Sequence, residues 1–170
     1  MSEVRRRRFL RERDAAQLLA EFSQRLKIDM KQLLNIKKLR MEVSETPTAK
    51  IFFIDDKPLM AILKDFWFPT LLFEKALLVL PRIVVNMGAI PYICNGADIM
   101  APGIVEIEGI FNTNDCVLII DERHHKPLAV AVALRDSQTA TKLRHGKTAK
   151  NIHYVGDNLW NQLKTQEKIQ

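Results

Sequence analysis

The sequence predicts an α+β protein: a mixed α/β region over residues 1–79, then a β-rich region over 80–170 that ends in a helix. Three observations carry this expectation. Apolar residues from Ala15 to Leu26 recur at spacings of three and four, the period of one buried helical stripe. Beyond residue 82, short β-branched runs follow one another with glycine and proline between them, the pattern of a small barrel or sandwich. Between the two regions, Leu80-Pro81 closes one pattern and RIVVN opens the next, which sets the boundary near 78–82.

The elements follow in order. Asp14 is the expected N-cap of a helix at about 14–27 that turns Ala15, Leu18, Leu19, Phe22 and Leu26 inward. The run Arg5, Arg6, Arg7, Arg8, with Arg11 and Arg13, makes the strand or arm that leads into it, a natural phosphate contact. Strands are expected at 36–43, 49–54 and 57–63, turned at Glu45-Thr46-Pro47 and Asp55-Asp56. Pro69 opens a short helix, where a missing amide hydrogen does no harm. In the second region strands are expected at 82–86, 97–101, 104–108, 116–121, 127–134 and 151–155. Pro102-Gly103 suits the centre of a type II turn. Within RDSQTATKLRHGKTAK, Ser137 is placed to cap a helical turn and Gly146 to end it, with Lys142, Arg144 and His145 in its last turn. Asp157 precedes Leu159, Trp160 and Leu163 at helical spacing and is the expected cap of a C-terminal helix that docks Trp160.

The net charge of +6 is unevenly spread. Residues 1–40 hold 12 Lys/Arg against 5 Asp/Glu, residues 41–120 hold 5 against 10, and residues 121–170 hold 9 against 5. Basic ends around an acidic middle point to a polyanion as partner, because nucleic-acid phosphates are a common target of clustered Lys and Arg. Lys142, Arg144, Lys147 and Lys150 form a phosphate-facing surface on this reading. The apolar runs FWFPTLLF and ALLVLP fall short of the roughly 20 residues a membrane helix needs. The basic N-terminus runs on into more charge with no apolar core of a signal peptide. A cytoplasmic protein with no membrane partner is expected.

Enzyme chemistry leaves little trace. The sequence holds no GxGxxG, GxxxxGK[ST], GxSxG or HExxH. Cys94 and Cys116 lie far apart without a CxxC pair, and His124-His125 in ERHHKP belongs to a polar turn, so neither a metal nor another cofactor is expected. Asp98 follows Gly96-Ala97 and is placed to bind backbone amides of the neighbouring turn. The stretch NGADIMAPGI, residues 95–104, is too apolar for a metal loop and has the wrong glycine spacing for a nucleotide cradle. It reads as a tight strand and turn whose exposed backbone suits close approach to a nucleic acid.

VNMGAIPYICNGADIMAPGI at one end and GKTAKNIHYVGDNLW at the other, in order across residues 80–160, resemble the PUA domain, an RNA-binding module first described in pseudouridine synthases and archaeosine transglycosylases. With FPTLLFEKALLVLP ahead of them, nearly the whole chain resembles the archaeal PUA proteins related to the eukaryotic "multiple copies in T-cell lymphoma" (malignant T-cell-amplified sequence) family. The resemblance implies a C-terminal PUA pseudo-β-barrel after an α/β pre-PUA domain. It implies a noncatalytic RNA binder of the translation apparatus, acting on tRNA or rRNA at the small ribosomal subunit, with a translation-factor partner protein. RNA would lie on the helix after the first barrel strand and the glycine loop behind it, at Gly88 to Asn95 and Gly96 to Met100, with Asn151 to Tyr154 of the last strand alongside; Gly88, Asn95, Gly96, Ala97, Met100, Asn151 and His153 are the expected contacts. Two positions depart from the family pattern: Asn86-Met87 replaces an acidic-basic pair, and Ala131 stands where glycine is frequent. An accessory RNA-binding subunit for a modification enzyme, and a protein adaptor using the acidic middle, are the alternative readings.

Overall fold

A computed structural model describes residues 6–167. The chain divides into two compact units, Met1–Ala76 and Leu77–Gln170.

In the first unit a five-stranded antiparallel meander, β1 (Arg8–Phe9), β2 (Met41–Glu45), β3 (Ala49–Ile54), β4 (Lys57–Leu63) and β5 (Phe66–Pro69), is ordered as in the sequence. Helix α1 (Glu12–Leu26) buries Ala15, Leu19, Phe22 and Leu26. The ring of Phe22 meets Phe52 edge-on at 5.7 Å and Trp67 at 4.8 Å, which seats the helix on the sheet. The helix begins two residues before the expected cap. Arg11 holds the N-cap position without a side-chain bond, and Asp14 lies in the first turn beside Glu12, where a carboxylate complements the helix dipole. A second helix, α2 (Met30–Leu34), lies between the expected helix and the expected strand; Asp29 caps it by accepting from the Gln32 amide at 3.0 Å. The strand expected at 36–43 accordingly starts later, at Met41. Asp55 and Asp56 both take positive φ, 49° and 64°, the primed turn that fits a two-residue hairpin. Pro69 ends β5 instead of opening a helix; α3 covers Glu74–Val79.

The second unit holds β6 (Arg82–Val85), α4 (Ile90–Ile93), β7 (Ile99–Met100), β8 (Ile104–Glu108), β9 (Cys116–Asp121), β10 (Pro127–Ala133), α5 (Ser137–Lys142), β11 (Lys147–Tyr154) and α6 (Asn158–Glu167). The strands form one sheet in the order β7-β11-β10-β9-β6-β8, antiparallel except for β6 beside β9. Laid flat, the edge strands β7 and β8 would stand about 24 Å apart at about 4.8 Å per neighbour. The 3-10 turn Ala101–Gly103 alone joins them, a reach of about 14 Å at most, so the sheet curls back on itself. The concave core collects Ile83, Val85, Val117, Ile119, Ala129, Ala131 and Ala133 in strict alternation. Ala131, at 0% exposure, is part of that core.

Three expectations change here. Pro102-Gly103 lies in a 3-10 turn, not a type II turn, and a Cβ at Gly103 would stand 3.3 Å from that of Ala89. Asp136, not Ser137, caps α5, accepting from the Thr139 amide at 2.9 Å, while the buried Ser137 accepts from the Phe111 amide at 3.3 Å. Gly146 takes φ 93° but precedes β11; α5 ends at Lys142, with Leu143 at the C-cap and Arg144 and His145 beyond it.

Candidate nucleic-acid interface

Asn86, in the departing Asn86-Met87 pair, accepts from the Ala89 amide at 3.0 Å and so supplies the cap that an acidic residue would. The chain then turns through the 3-10 segment Met87–Ala89 into α4, whose end answers what NGAD does. The Ala97 amide donates to the Tyr92 carbonyl and the Gly96 amide to that of Ile93, each at 3.0 Å, the bond pair of a Schellman motif. Gly96 has the left-handed φ of 94° that this position requires. A Cβ on it would stand 3.2 Å from the Tyr154 hydroxyl. Gly96 thus ends a helix against an aromatic ring, a structural duty that precedes any contact with a ligand.

β7 pairs with the start of β11, Met100 opposite Lys147 and Ile99 opposite Ala149, and the Ala101 amide donates to the Gly146 carbonyl at 2.9 Å. Strand β11 begins four residues before its expected start, which carries Lys147 and Lys150 onto the sheet. Asp98 accepts from the Asn151 amide and from Lys147 Nζ, both at 3.0 Å. Its amide partner lies across the sheet on β11, not in the neighbouring turn. Asn151 Nδ2 donates to the carbonyls of Ile93 and Ala97, each at 3.0 Å. The glycine loop and the last strand are therefore stitched into one surface, on which Asn95, Gly96, Ala97, Met100, Lys147 and Lys150 are exposed. Gly88, Lys142 and Arg144 are exposed on adjoining chain segments.

Other expected contacts move away from this face. His153 has no exposed surface, so its side chain does not meet RNA. The register slips between Val130 and Ala131, placing His153 opposite Val130 and Tyr154 opposite Ala129. That bulge reverses the alternation, turning Tyr154 toward the core and His153 to the other side. There His153 Nδ1 lies 2.9 Å from Asp157 Oδ2. Asp157 also accepts from the Trp160 amide at 2.6 Å and the Tyr154 amide at 3.0 Å, so it caps α6 as expected. Burial raises its carboxyl, but the His153 bond and charge and the two amides outweigh that and hold it below its ordinary range. Leu163, at 0% exposure, anchors α6, while Trp160 remains part-exposed beneath Lys164.

The N-terminal arginines are engaged within their own unit. Arg7 pairs with Asp56 at 3.3 Å and stands 3.8 Å over the Phe53 ring; Arg8 pairs with Glu45 at 2.8 Å. Arg6 is exposed, and Arg5 lies outside the described residues. His124 and His125 sit in the expected polar turn, wrapped around Asp121, which accepts from the amides of Arg123, His124 and Lys126 at 2.9, 2.6 and 3.0 Å. Among the described residues no cluster of His, Cys, Asp and Glu is placed to hold a metal ion. Burial, with the Asp115 charge, pushes the Cys116 thiol up to about 12 and burial raises that of Cys94.

One exposed residue inside the expected span Gly88 to Asn95 is not singled out by a sequence reading built on glycine and charge. Tyr92 is 71% exposed at the middle of α4, its backbone carbonyl part of the Schellman motif and its ring in solvent. Its signal is the spacing of Ile90 and Ile93, three apart, which turns the residue between them outward.

Comparison with known proteins agrees with this geometry. Residues 81–155 match the PUA domain, and residues 6–75 match a domain of unknown function, DUF1947. An uncharacterised protein of Methanocaldococcus jannaschii is 36% identical over 162 residues, 94% of this chain and 98% of that one. Translation machinery-associated protein 20 of Schizosaccharomyces pombe is 30% identical over 46% of each chain. Malignant T-cell-amplified sequence 2 of Mus musculus is 33% identical over 57% of this chain and 56% of that one. The chain thus matches about half the length of these two eukaryotic relatives. The crystal structure of a hypothetical protein from Pyrococcus horikoshii aligns at TM-score 0.78 with 33% identity, over 93% of this chain and 99% of that one. With both segments matched in order and a relative alike along nearly its whole length, this chain belongs to the family of PUA-domain proteins that carry a DUF1947 region ahead of the PUA domain.

Proposed function

We propose that this protein is a noncatalytic RNA-binding protein that engages tRNA or ribosomal RNA on the small subunit during translation initiation or recycling, with residues 80–170 as the principal RNA-binding domain. The observation that carries the reading is the stitched surface itself. The exposed residues Asn95, Gly96 and Ala97, the exposed Tyr92 ring and the Lys147 and Lys150 side chains lie on segments tied together by Asp98 and Asn151. Cations take phosphates, and an exposed ring takes an unstacked base. The relation to a protein named for association with the translation machinery supports an RNA of that machinery as the ligand.

The test is fluorescence anisotropy of the whole protein with tRNA and an unrelated hairpin across a salt series. Replacing Lys142, Arg144, Lys147 and Lys150 by alanine is expected to weaken binding to every RNA and to flatten the slope of log affinity against log salt by up to about three units. An unchanged slope refutes this face as the phosphate surface. Co-purification with a modification enzyme and not with ribosomal subunits overturns the translational assignment.

A further inference from the structure

The first unit carries a second exposed basic surface, distinct from the arginine run that the sequence puts forward. Between Lys31 and Arg40 the chain presents Lys31, Lys37, Lys38 and Arg40, all exposed, with no acidic residue in that interval. The local fold turns them outward. Met30 and Leu34 are buried under α2, leaving Lys31 on the solvent side, and Asn35 closes that helix in the left-handed conformation at φ 48°. Ile36 and Leu39 are part-buried, which leaves Lys37, Lys38 and Arg40 in solvent around them. The nearest acidic residue before this stretch, Asp29, is committed to capping α2. Among the described residues no carboxylate pairs with any of the four cations, in contrast to Arg7, Arg8 and Lys147.

An aromatic ring stands at the end of this row. Phe9, on edge strand β1, is 61% exposed, and the Arg40 guanidinium lies 5.3 Å over it. β1 is held in place by its pairing with β2, Phe9 opposite Glu42, and by the Leu10 amide on the Met41 carbonyl at 2.9 Å. An apolar ring left in solvent on a fixed strand is a platform, and every nucleobase has a face that stacks on one. Glu42 opposite Phe9 disfavours a phosphate there and suits the amino groups of a base. The backbone belongs over the lysines. Six residues from Asn35 to Arg40 span about 20 Å at most, so Lys37, Lys38, Arg40 and the ring beneath Arg40 lie within reach of one short stretch of RNA, with Lys31 on the helix just before them.

We propose that the DUF1947 unit holds its own single-stranded RNA site: Lys31, Lys37, Lys38 and Arg40 contact consecutive phosphates, and a base stacks on Phe9. This rests on RNA being the ligand of the protein, and the experiment separates the two claims. Six versions of the whole protein are titrated with a fluorescein-labelled single-stranded RNA, a duplex RNA and anionic phosphatidylserine vesicles: the parent, Lys31/Lys37/Lys38/Arg40→Ala, Lys142/Arg144/Lys147/Lys150→Ala, both sets combined, Phe9→Ala and Phe9→Trp. Loss of four phosphate contacts to a single strand flattens the salt slope by about three units, at roughly 0.7 per phosphate. The N-terminal variant is expected to show that loss with single-stranded RNA, and combining both sets is expected to flatten the slope further than either. Phe9→Ala is expected to weaken single-stranded RNA about 5- to 150-fold while leaving duplex RNA within error, and Phe9→Trp to restore it. Phe9 is largely in solvent, so these variants test the ring and not the fold. A slope unchanged in the N-terminal variant but flattened in the C-terminal one overturns this site and leaves the proposed function standing. An unchanged slope in both overturns both. Loss of vesicle binding with RNA binding intact assigns the patch to a membrane surface and overturns the RNA site.

Discussion

Gly96 meets two demands at once, a positive φ and a Tyr154 hydroxyl 3.2 Å from where a Cβ would sit. Gly96→Ala is expected to destabilise the protein by about 1–2 kcal/mol from the left-handed backbone alone. Tyr154→Phe, which removes the crowding oxygen, is expected to recover only the part due to contact; chemical denaturation of the four members of the cycle measures the split. Asp157→Ala removes a helix cap and leaves His153 buried without that carboxylate, so a loss of about 2–3 kcal/mol is expected, above that of a cap alone. Because the Asp157 carboxyl lies below its ordinary value in the folded protein, its contribution is present above the unfolded pKa of about 3.9 and disappears as pH falls through the folded value. Asp157→Asn is therefore expected to flatten the stability profile on the acid side of pH 4. The cap was legible in VGDNLW because a carboxylate three residues before an amide-bearing helical turn is a local pattern. The partners of Gly96 and His153 were not, because they depend on a bulge and on a ring some sixty residues away along the chain.

At the scale of elements, the loop that ends α4 and the strand β11 hold each other through Asp98 and Asn151. Lys147 shares the Asp98 carboxylate, so part of its charge is spent inside the protein before RNA arrives. Asp98→Asn keeps an acceptor for the Asn151 amide but frees the ammonium; RNA affinity is expected to rise at low salt and the salt slope to steepen by up to about one unit. A weaker affinity with the slope unchanged would show that Asp98 serves the loop's shape alone. The 122–126 turn depends in the same way on Asp121. Burial raises that carboxyl, while three backbone amides and His124 draw it below its usual range, so its support is present above the unfolded pKa and fades as pH falls through the folded one. Asp121→Ala is expected to lower the melting temperature at neutral pH by several degrees and to speed exchange at the amides of Arg123, His124 and Lys126, read by hydrogen exchange. Strands of the second unit were legible within a few residues from alternation, since β-branched runs between glycines leave few other readings. α2 was not, because five residues give a helical period too little length to show, and the bounds of β11 were hidden by lysines that a pattern of apolar residues assigns to a loop.

For the whole molecule, two hydrophobic centres carry the fold, one around Phe22 and one around Ile119. Phe22→Ala is expected to cost about 3–5 kcal/mol and Ile119→Ala about 2–5 kcal/mol, with amide protection falling first in the five-stranded and six-stranded sheets respectively. The acidic middle and basic ends of the sequence point to a polyanion partner in general. Which cations are left for it was not readable from charge counts, because pairing decides it: Arg7 and Arg8 meet carboxylates, whereas Lys37 and Lys38 meet none among the described residues. The closure of the second sheet through Ala101–Gly103 has a kinetic consequence. Met100, on the strand that closes the curl, is also on the proposed RNA face, so that face cannot rearrange without opening the core behind it. Encounter then places the burden of adaptation on the RNA: association is expected to be a single concentration-dependent phase with no protein-limited step in stopped flow, and differences among RNAs to appear in how fast they leave and how much order they must give up to stay.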